Sequence, residues 1–229
     1  MKDIAFVLYP GFTLLDMAGP LQVLSALPSF DPEYRVVVLG EDKAPVPTDT
    51  PLGVAASHTF DEVPAPYAVF LPGGGVPTMA AMGDEKLLGR VRDMAAHAEI
   101  IGSVCTGSLL LGAVGLLEGR RATTHWMCRD LLAKFGATPV VERWVRDGNV
   151  LTGAGVSAGI DLALHLVQEL AGEEIARQVQ LMIEYDPQPP LGGIEWAGVD
   201  IAARRPLVDS WLRTGLADNP KLLGELIGS

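Results

Sequence analysis

Ile100-Ile101-Gly102-Ser103-Val104-Cys105-Thr106-Gly107-Ser108-Leu109-Leu110-Leu111-Gly112 changes character at its cysteine. Ile100 to Val104 is a short apolar run, the form taken by a strand buried on both faces of a parallel sheet. Thr106 to Gly112 reads as a short apolar helix. Cys105 stands at the junction, with Ser103 two residues before it and Gly107 two after it. A side chain projecting from a sharp strand-to-helix turn needs close backbone approach on both sides. That is the logic of the Gly-x-Ser-x-Gly nucleophile elbow, here with sulfur in place of oxygen. A helix N-terminus also favours thiolate, so Cys105, not Cys128, is expected to be the low-pKa thiol. An inert buried cysteine fits the same residues, and spacing alone does not choose between the two.

Extended to Leu117, the stretch still carries no charge, and about 18 such residues is the length at which a membrane-spanning helix becomes a candidate. Four glycines and the Ser-Val-Cys-Thr interruption divide it into a β-branched half and a Leu-rich half. Strand plus helix, and no membrane segment, is the reading that follows.

Outward from this centre the same alternation repeats. Ile4 to Leu8 is a buried strand ended by Pro10-Gly11. Gly19-Pro20 opens a helix over Leu21 to Leu27, with proline at the first helical position, and Asp16 lies in the connection just before it. Tyr34 to Leu39 and Ala68 to Leu71 are further strands, Val54 to Phe60 a weaker one, and Asp84 to Ala98 an amphipathic helix. Val140 to Val145 and Asn149 to Thr152 form a hairpin about Arg146-Asp147-Gly148. Ser157 to Glu169 and Glu173 to Glu184 are helices. The sum is an α/β fold: a doubly wound, mostly parallel sheet sandwiched by helices, flavodoxin-like, with a β-hairpin insertion. Asp186-Pro187-Gln188-Pro189-Pro190 is the one candidate boundary. Residues 1–190 are expected to form the domain and 191–229 a C-terminal helical arm packed on it or on a partner subunit, since about 40 residues are too few for a separate core.

The 229 residues are 48% hydrophobic, enough for one large core. Lys and Arg number 17 against 28 Asp and Glu, a net charge of −11 that argues against nucleic acid as a partner. Neither of the two cysteines has metal-ligand spacing, so no disulfide framework, metal site or cofactor is called for. The N-terminus reads as a strand, not a signal peptide, and a cytoplasmic location is expected.

Other residues carry chemistry less sharply. Gly73-Gly74-Gly75 ends a buried strand, where bare backbone N–H groups could stabilise an oxyanion; such glycines are more often a turn alone. Asp16 sits between Leu15 and Met17, either capping a helix or acting as a buried acid that stays protonated beside a thiolate. Of the four histidines, His97 is expected to be solvated, His58 to lie on a polar strand, and His165 to be packed in an apolar helix. His125 is the candidate for the site, with a capping role the simpler reading.

The elbow Ser-Val-Cys-Thr-Gly-Ser-Leu-Leu-Leu-Gly, the strand end Leu-Pro-Gly-Gly, the Leu-Leu-Asp-Met-Ala-Gly-Pro segment and Gly-Arg-Arg-Ala-Thr-Thr-His-Trp occur here in order. Together they resemble the DJ-1/PfpI superfamily (class I glutamine amidotransferase-like), and within it most closely the isocyanide hydratases, from Ile4 to about Pro190. The resemblance implies Cys105 as nucleophile, Asp16 as the acid beside it, Thr106 completing the site through its N–H and hydroxyl, and Gly73 and Gly74 as backbone donors. It implies hydration of a small-molecule isocyanide to an N-substituted formamide without cofactor, in a homodimer. Ala154 departs from the glycine-rich loop of the hydratases, with an expected effect on packing or mobility of the next helix. Thr106 stands where protease-like members place histidine, and His165 lacks the His-x-Glu of amidotransferases. A redox-sensing or chaperone-like DJ-1 relative, or a ligand-binding module without turnover, is the alternative.

Overall fold

The computed structural model describes residues 1–228. The strands are β1 (Lys2–Val7), β2 (Tyr34–Gly40), β3 (Pro45–Pro47), β4 (Gly53–Ala55), β5 (His58–Thr59), β6 (Ala68–Leu71), β7 (Ile100–Ser103), β8 (Arg121–Ala122), β9 (Thr138–Pro139), β10 (Trp144–Asp147) and β11 (Val150–Gly153). The helices are α1 (Leu14–Leu24), α2 (Val76–Ala81), α3 (Glu85–Ala95), α4 (Gly107–Ala113), α5 (Ala158–Ala171), α6 (Glu173–Met182), α7 (Arg205–Gly215) and α8 (Pro220–Ile227).

Seven strands build the central sheet in the order β10-β11-β7-β6-β1-β2-β5. Every neighbouring pair is parallel except β10 with β11. β6 and β7 are buried throughout, as their unbroken apolar composition requires when helices cover both faces. The chain leaves β1 first towards β2 and later towards β6, so the strand order reverses between β1 and β6. The crevice beyond the carboxyl ends of strands at such a reversal is where open α/β sheets place their sites. The doubly wound architecture expected from the alternation is thus present.

Several local expectations are corrected. Pro20 does not open a helix; α1 begins at Leu14 and carries Pro20 in its interior, with Asp16 in its first turn. The start is set from outside the segment, because the Leu14 N–H donates to Asp49 Oδ1 at 2.9 Å, a cap 35 residues away. An interior proline ordinarily costs ~3 kcal/mol; here it is held in the contact between α1 and α5, where Pro20 faces Gly159.

The hairpin is shifted as well. Trp144 pairs with Gly153 and Asp147 with Val150, so Arg146 and Asp147 belong to the strand and the loop is Gly148-Asn149. Gly148 has φ +60°, and positive φ at the first loop position is what a type II′ turn asks for. The single strand expected over Val54 to Phe60 is broken into β4 and β5, and Phe60–Glu62 is a 3-10 turn closed by a Thr59–Glu62 capping box.

α7 packs on α2, and α8 packs on a 3-10 helix, Trp126–Phe135, that the sequence reading did not foresee. Val208, Leu212, Leu216 and Leu226 are buried in these contacts. Between α6 and α7 the chain is exposed, Leu191 almost completely. Among the described residues no helix is long and apolar enough to cross a membrane.

Candidate functional site

Three connections at the strand reversal meet: the start of α1 after β1, the glycines after β6, and the elbow after β7. Cys105 has φ +58°, the left-handed region that a non-glycine residue enters at a cost. Its backbone is held at both ends. The Cys105 N–H donates to the carbonyls of Gly153 (3.1 Å) and Ala154 (3.0 Å), and its carbonyl accepts from the Thr124 hydroxyl at 2.9 Å. The tightness expected just after Cys105 is real, since a Cβ at Gly107 would collide with the carbonyl of Leu71.

Asp16 is 1% exposed. Its Oδ2 accepts the Gly73 N–H at 2.9 Å, while Oδ1 is buried with no hydrogen-bond partner of good geometry. Burial raises the carboxyl to about 7; the Gly73 N–H and the neighbouring Cys105 thiol pull it down, and the Asp49 charge adds to the rise. Burial likewise holds the Cys105 thiol well above its ordinary range, and the Asp16 charge adds to that. N–H groups of Val156 and Thr106 directed at the sulfur act the other way. The expected low-pKa thiol is therefore corrected: the helix N-terminus contributes its N–H, but desolvation outweighs it. The thiol and the carboxyl are coupled, so neither titrates independently of the other. Cys128 is fully buried in the core, and burial pushes its thiol up to about 12.

Thr106 and the glycines are present but differently employed. The Thr106 hydroxyl donates to the Gly74 carbonyl at 2.6 Å and accepts the Gly74 N–H at 2.8 Å. With Gly73 bound to Asp16, both glycine N–H groups are already engaged within the protein. They hold the carboxyl and the elbow in place and are not free oxyanion donors, because Asp16 and Thr106 reach them first. The donors that do face sulfur are Thr106 N–H and that of Val156. Val156 was not singled out by sequence; it has φ +24°, and a β-branched residue in that conformation leaves no readable signal.

His125 accepts the Met127 N–H through Nδ1 at 3.4 Å, capping the 3-10 helix, and burial and the Arg129 charge lower its pKa. It also lines a cavity of about 520 Å³ with Leu15, Trp126, Val156, Ile194 and Trp196. Leu15 adjoins Asp16, and the 154–156 segment that contacts Cys105 forms one wall, so the cavity lies beside the elbow. Trp196 comes from the arm and meets Trp126 edge-on, ring centroids 6.1 Å apart. The other histidines lie elsewhere: His165, on the largely apolar α5 as expected, packs its ring against Trp144 with centroids 5.4 Å apart, and its Nε2 lies 3.0 Å from Glu169. A second, polar groove of about 420 Å³ between α5 and α6 is lined by no cysteine, serine or threonine. Among the described residues, no three His, Cys, Asp or Glu side chains come together as a metal site.

The model of the DJ-1/PfpI family matches residues 2–169. A Pseudomonas putida protein named isonitrile hydratase is 44% identical over 94% of this chain and 95% of its own length. The crystal structure of a ThiJ/PfpI family protein from Pseudomonas syringae superposes with a TM-score of 0.84 at 38% identity, covering 94% of this chain and 89% of that one. The HTH-type transcriptional regulator CdhR of Pseudomonas aeruginosa is 30% identical over 78% of this chain, which spans 53% of the regulator.

Proposed function

This chain belongs to the DJ-1/PfpI family, and on that premise we propose that it is an enzyme that adds water to organic isocyanides, giving N-substituted formamides. The observation that carries the reading is the Cys105–Asp16 pair: a nucleophile on a strained elbow and a buried carboxyl raised to about 7 by that burial, interacting directly. The near full-length similarity to an isonitrile hydratase supports the choice of substrate class.

In the proposed reaction the Cys105 sulfur attacks the terminal carbon of the isocyanide, R–NC. The proton held by the pair passes from Asp16 to that carbon, giving the thioimidate R–N=CH–S–Cys105. Water then adds to the same carbon, Asp16 carboxylate taking one of its protons and returning it to nitrogen. Collapse of the R–NH–CH(OH)–S adduct breaks the C–S bond, releases R–NH–CHO, and leaves the last hydroxyl proton with the Cys105–Asp16 pair. Thr106 and Val156 N–H groups stabilise sulfur whenever it carries charge; Gly73 and Gly74 position the acid and the elbow. We further propose a cytoplasmic homodimer, in which the exposed apolar residues of the arm, Leu191 and Ile194 among them, are covered by the second copy.

Incubation of the pure protein with simple alkyl and aryl isocyanides, with formamide detected by mass spectrometry, tests the reading. Cys105→Ala should produce none. A wild-type protein inert to every isocyanide, or a Cys105→Ala variant that still turns over, overturns it. A peroxide-sensing role is less well served, because a thiol that is 5% exposed and raised by burial is a poor target for oxidation.

A further inference from the structure

The cavity beside Cys105 contains a cation that the proposed reaction does not use. Arg129, on the Trp126–Phe135 3-10 helix, lines the cavity with the two tryptophans. Its Nε is buried without a hydrogen-bond partner, and no carboxylate lies within ion-pair distance of it among the described residues. The candidates nearby are engaged. Glu142, also in the wall, is bound by Arg121 at 2.6 Å, and Asp130 by Arg205 at 2.6 Å. The other cation of the wall, Arg143, is neutralised by Asp161 at 2.6 Å. Of the other arginines without a carboxylate partner among the described residues, Arg120 donates to the Asp147 carbonyl at 2.9 Å, and Arg204 and Arg213 are exposed to water.

A half-buried guanidinium left unpaired costs free energy that a bound anion recovers, and its planar fork matches a carboxylate. Desolvation lowers the Arg129 pKa with no acidic neighbour to offset it. Apart from His125 and Ser157, the rest of the wall is apolar and aromatic, with Leu15, Trp126, Val156, Ile194 and Trp196 its large side chains. The net charge of −11 disfavours anions at long range, so a local uncompensated cation is what an anionic ligand would need.

We infer that the cavity takes an isocyanide joined to an apolar or aromatic body that bears a carboxylate, with the aromatic wall holding the body and Arg129 the carboxylate. The isocyanide part of this inference rests on the proposed hydratase activity; the carboxylate part does not.

The test compares 2-isocyano-3-phenylpropanoate with its methyl ester as substrates. Wild type should prefer the acid in kcat/KM. A charge-assisted contact of this kind corresponds to about ten- to hundredfold, so Arg129→Met should lower the acid-to-ester ratio by that factor, mainly through KM, and Arg129→Lys should retain part of it. A wild-type ratio at or below one, or a ratio that Arg129→Met leaves unchanged, overturns the inference. Binding of the unreactive probe 3-phenylpropanoate, followed by tryptophan fluorescence against its methyl ester, separates the two readings. If no isocyanide is hydrated, the hydratase proposal fails, while at least tenfold tighter binding of the carboxylate, lost in Arg129→Met, sustains the carboxylate site. Equal binding of acid and ester overturns that as well, whether or not the variant folds.

Discussion

Replacing Asp16 by Asn removes the acid and keeps its shape, and the burial of the site sets the expected sign. The folded carboxyl is raised from its ordinary 3.8 to about 7, chiefly by desolvation. A group whose folded pKa is raised contributes its stability fully below the unfolded pKa and loses it as pH rises through the folded one. Wild type should therefore lose stability relative to Asp16→Asn between pH 4 and 7, with the difference level above that. The interval corresponds to ~4 kcal/mol at its upper limit. The amide can still accept the Gly73 N–H, but its NH₂ takes the place of Oδ1, which has no partner, and an unsatisfied donor costs ~1–3 kcal/mol. Net stabilisation of ~1–3 kcal/mol at pH 8, falling to zero or reversing at pH 4, is the expected outcome of urea unfolding across pH. A difference independent of pH would show that Asp16 titrates normally and is not the raised acid of the site. Under the proposed reaction the same variant should give little formamide and accumulate substrate on Cys105, visible as a mass adduct.

Further outcomes follow from the same geometry. The kcat/KM for isocyanide should rise with a midpoint near pH 7 as the doubly protonated pair loses one proton, and stay level to well above pH 9, where the burial-raised thiol ionises. A flat profile through pH 7 would refute control of the reaction by a raised Asp16 carboxyl. Gly107→Ala drives a Cβ against the Leu71 carbonyl, and overpacking at so rigid a point should cost at least ~2–3 kcal/mol in thermal unfolding; an unchanged Tm would remove the case for a tight elbow. With iodoacetamide both thiols should be slow at pH 7. Cys105, lying beside the cavity, should react before the fully buried Cys128 as pH rises; equal rates would sink that ordering.

Much of the fold is written locally. β6 and β7 are legible because strands covered on both faces must be apolar throughout, and α4 because its leucines follow directly on the elbow. The positions of Cys105 and Asp16 near one another were expected only from resemblance, not from spacing. What escaped local reading is set by distant residues. The start of α1 depends on Asp49, and Pro20 is tolerated inside it by a helix over a hundred residues later. The Val156 N–H reaches the sulfur through a backbone conformation that its side chain disfavours. The raised thiol was missed for a related reason: a helix N-terminus is visible in sequence, whereas the depth of burial that outweighs it is a property of the whole sheet.

The way the backbone donors are spent bears on which chemistry the site can serve. Acyl transfer builds negative charge on an oxygen and relies on N–H groups free to meet it, each typically worth ~3–4 kcal/mol. Here the Gly73 N–H is bound to Asp16 and the Gly74 N–H to Thr106, and the remaining donors face the sulfur. An isocyanide has no such oxygen. Its carbon must gain a bond to sulfur and a proton, both delivered at one atom, and a thiol beside a buried carboxyl that is raised to about 7 supplies that combination. If the wild-type protein hydrolysed activated esters or amides faster than it hydrated isocyanides, this distribution of donors would have been misread; the expected order is the reverse, measured as kcat/KM on matched alkyl substrates.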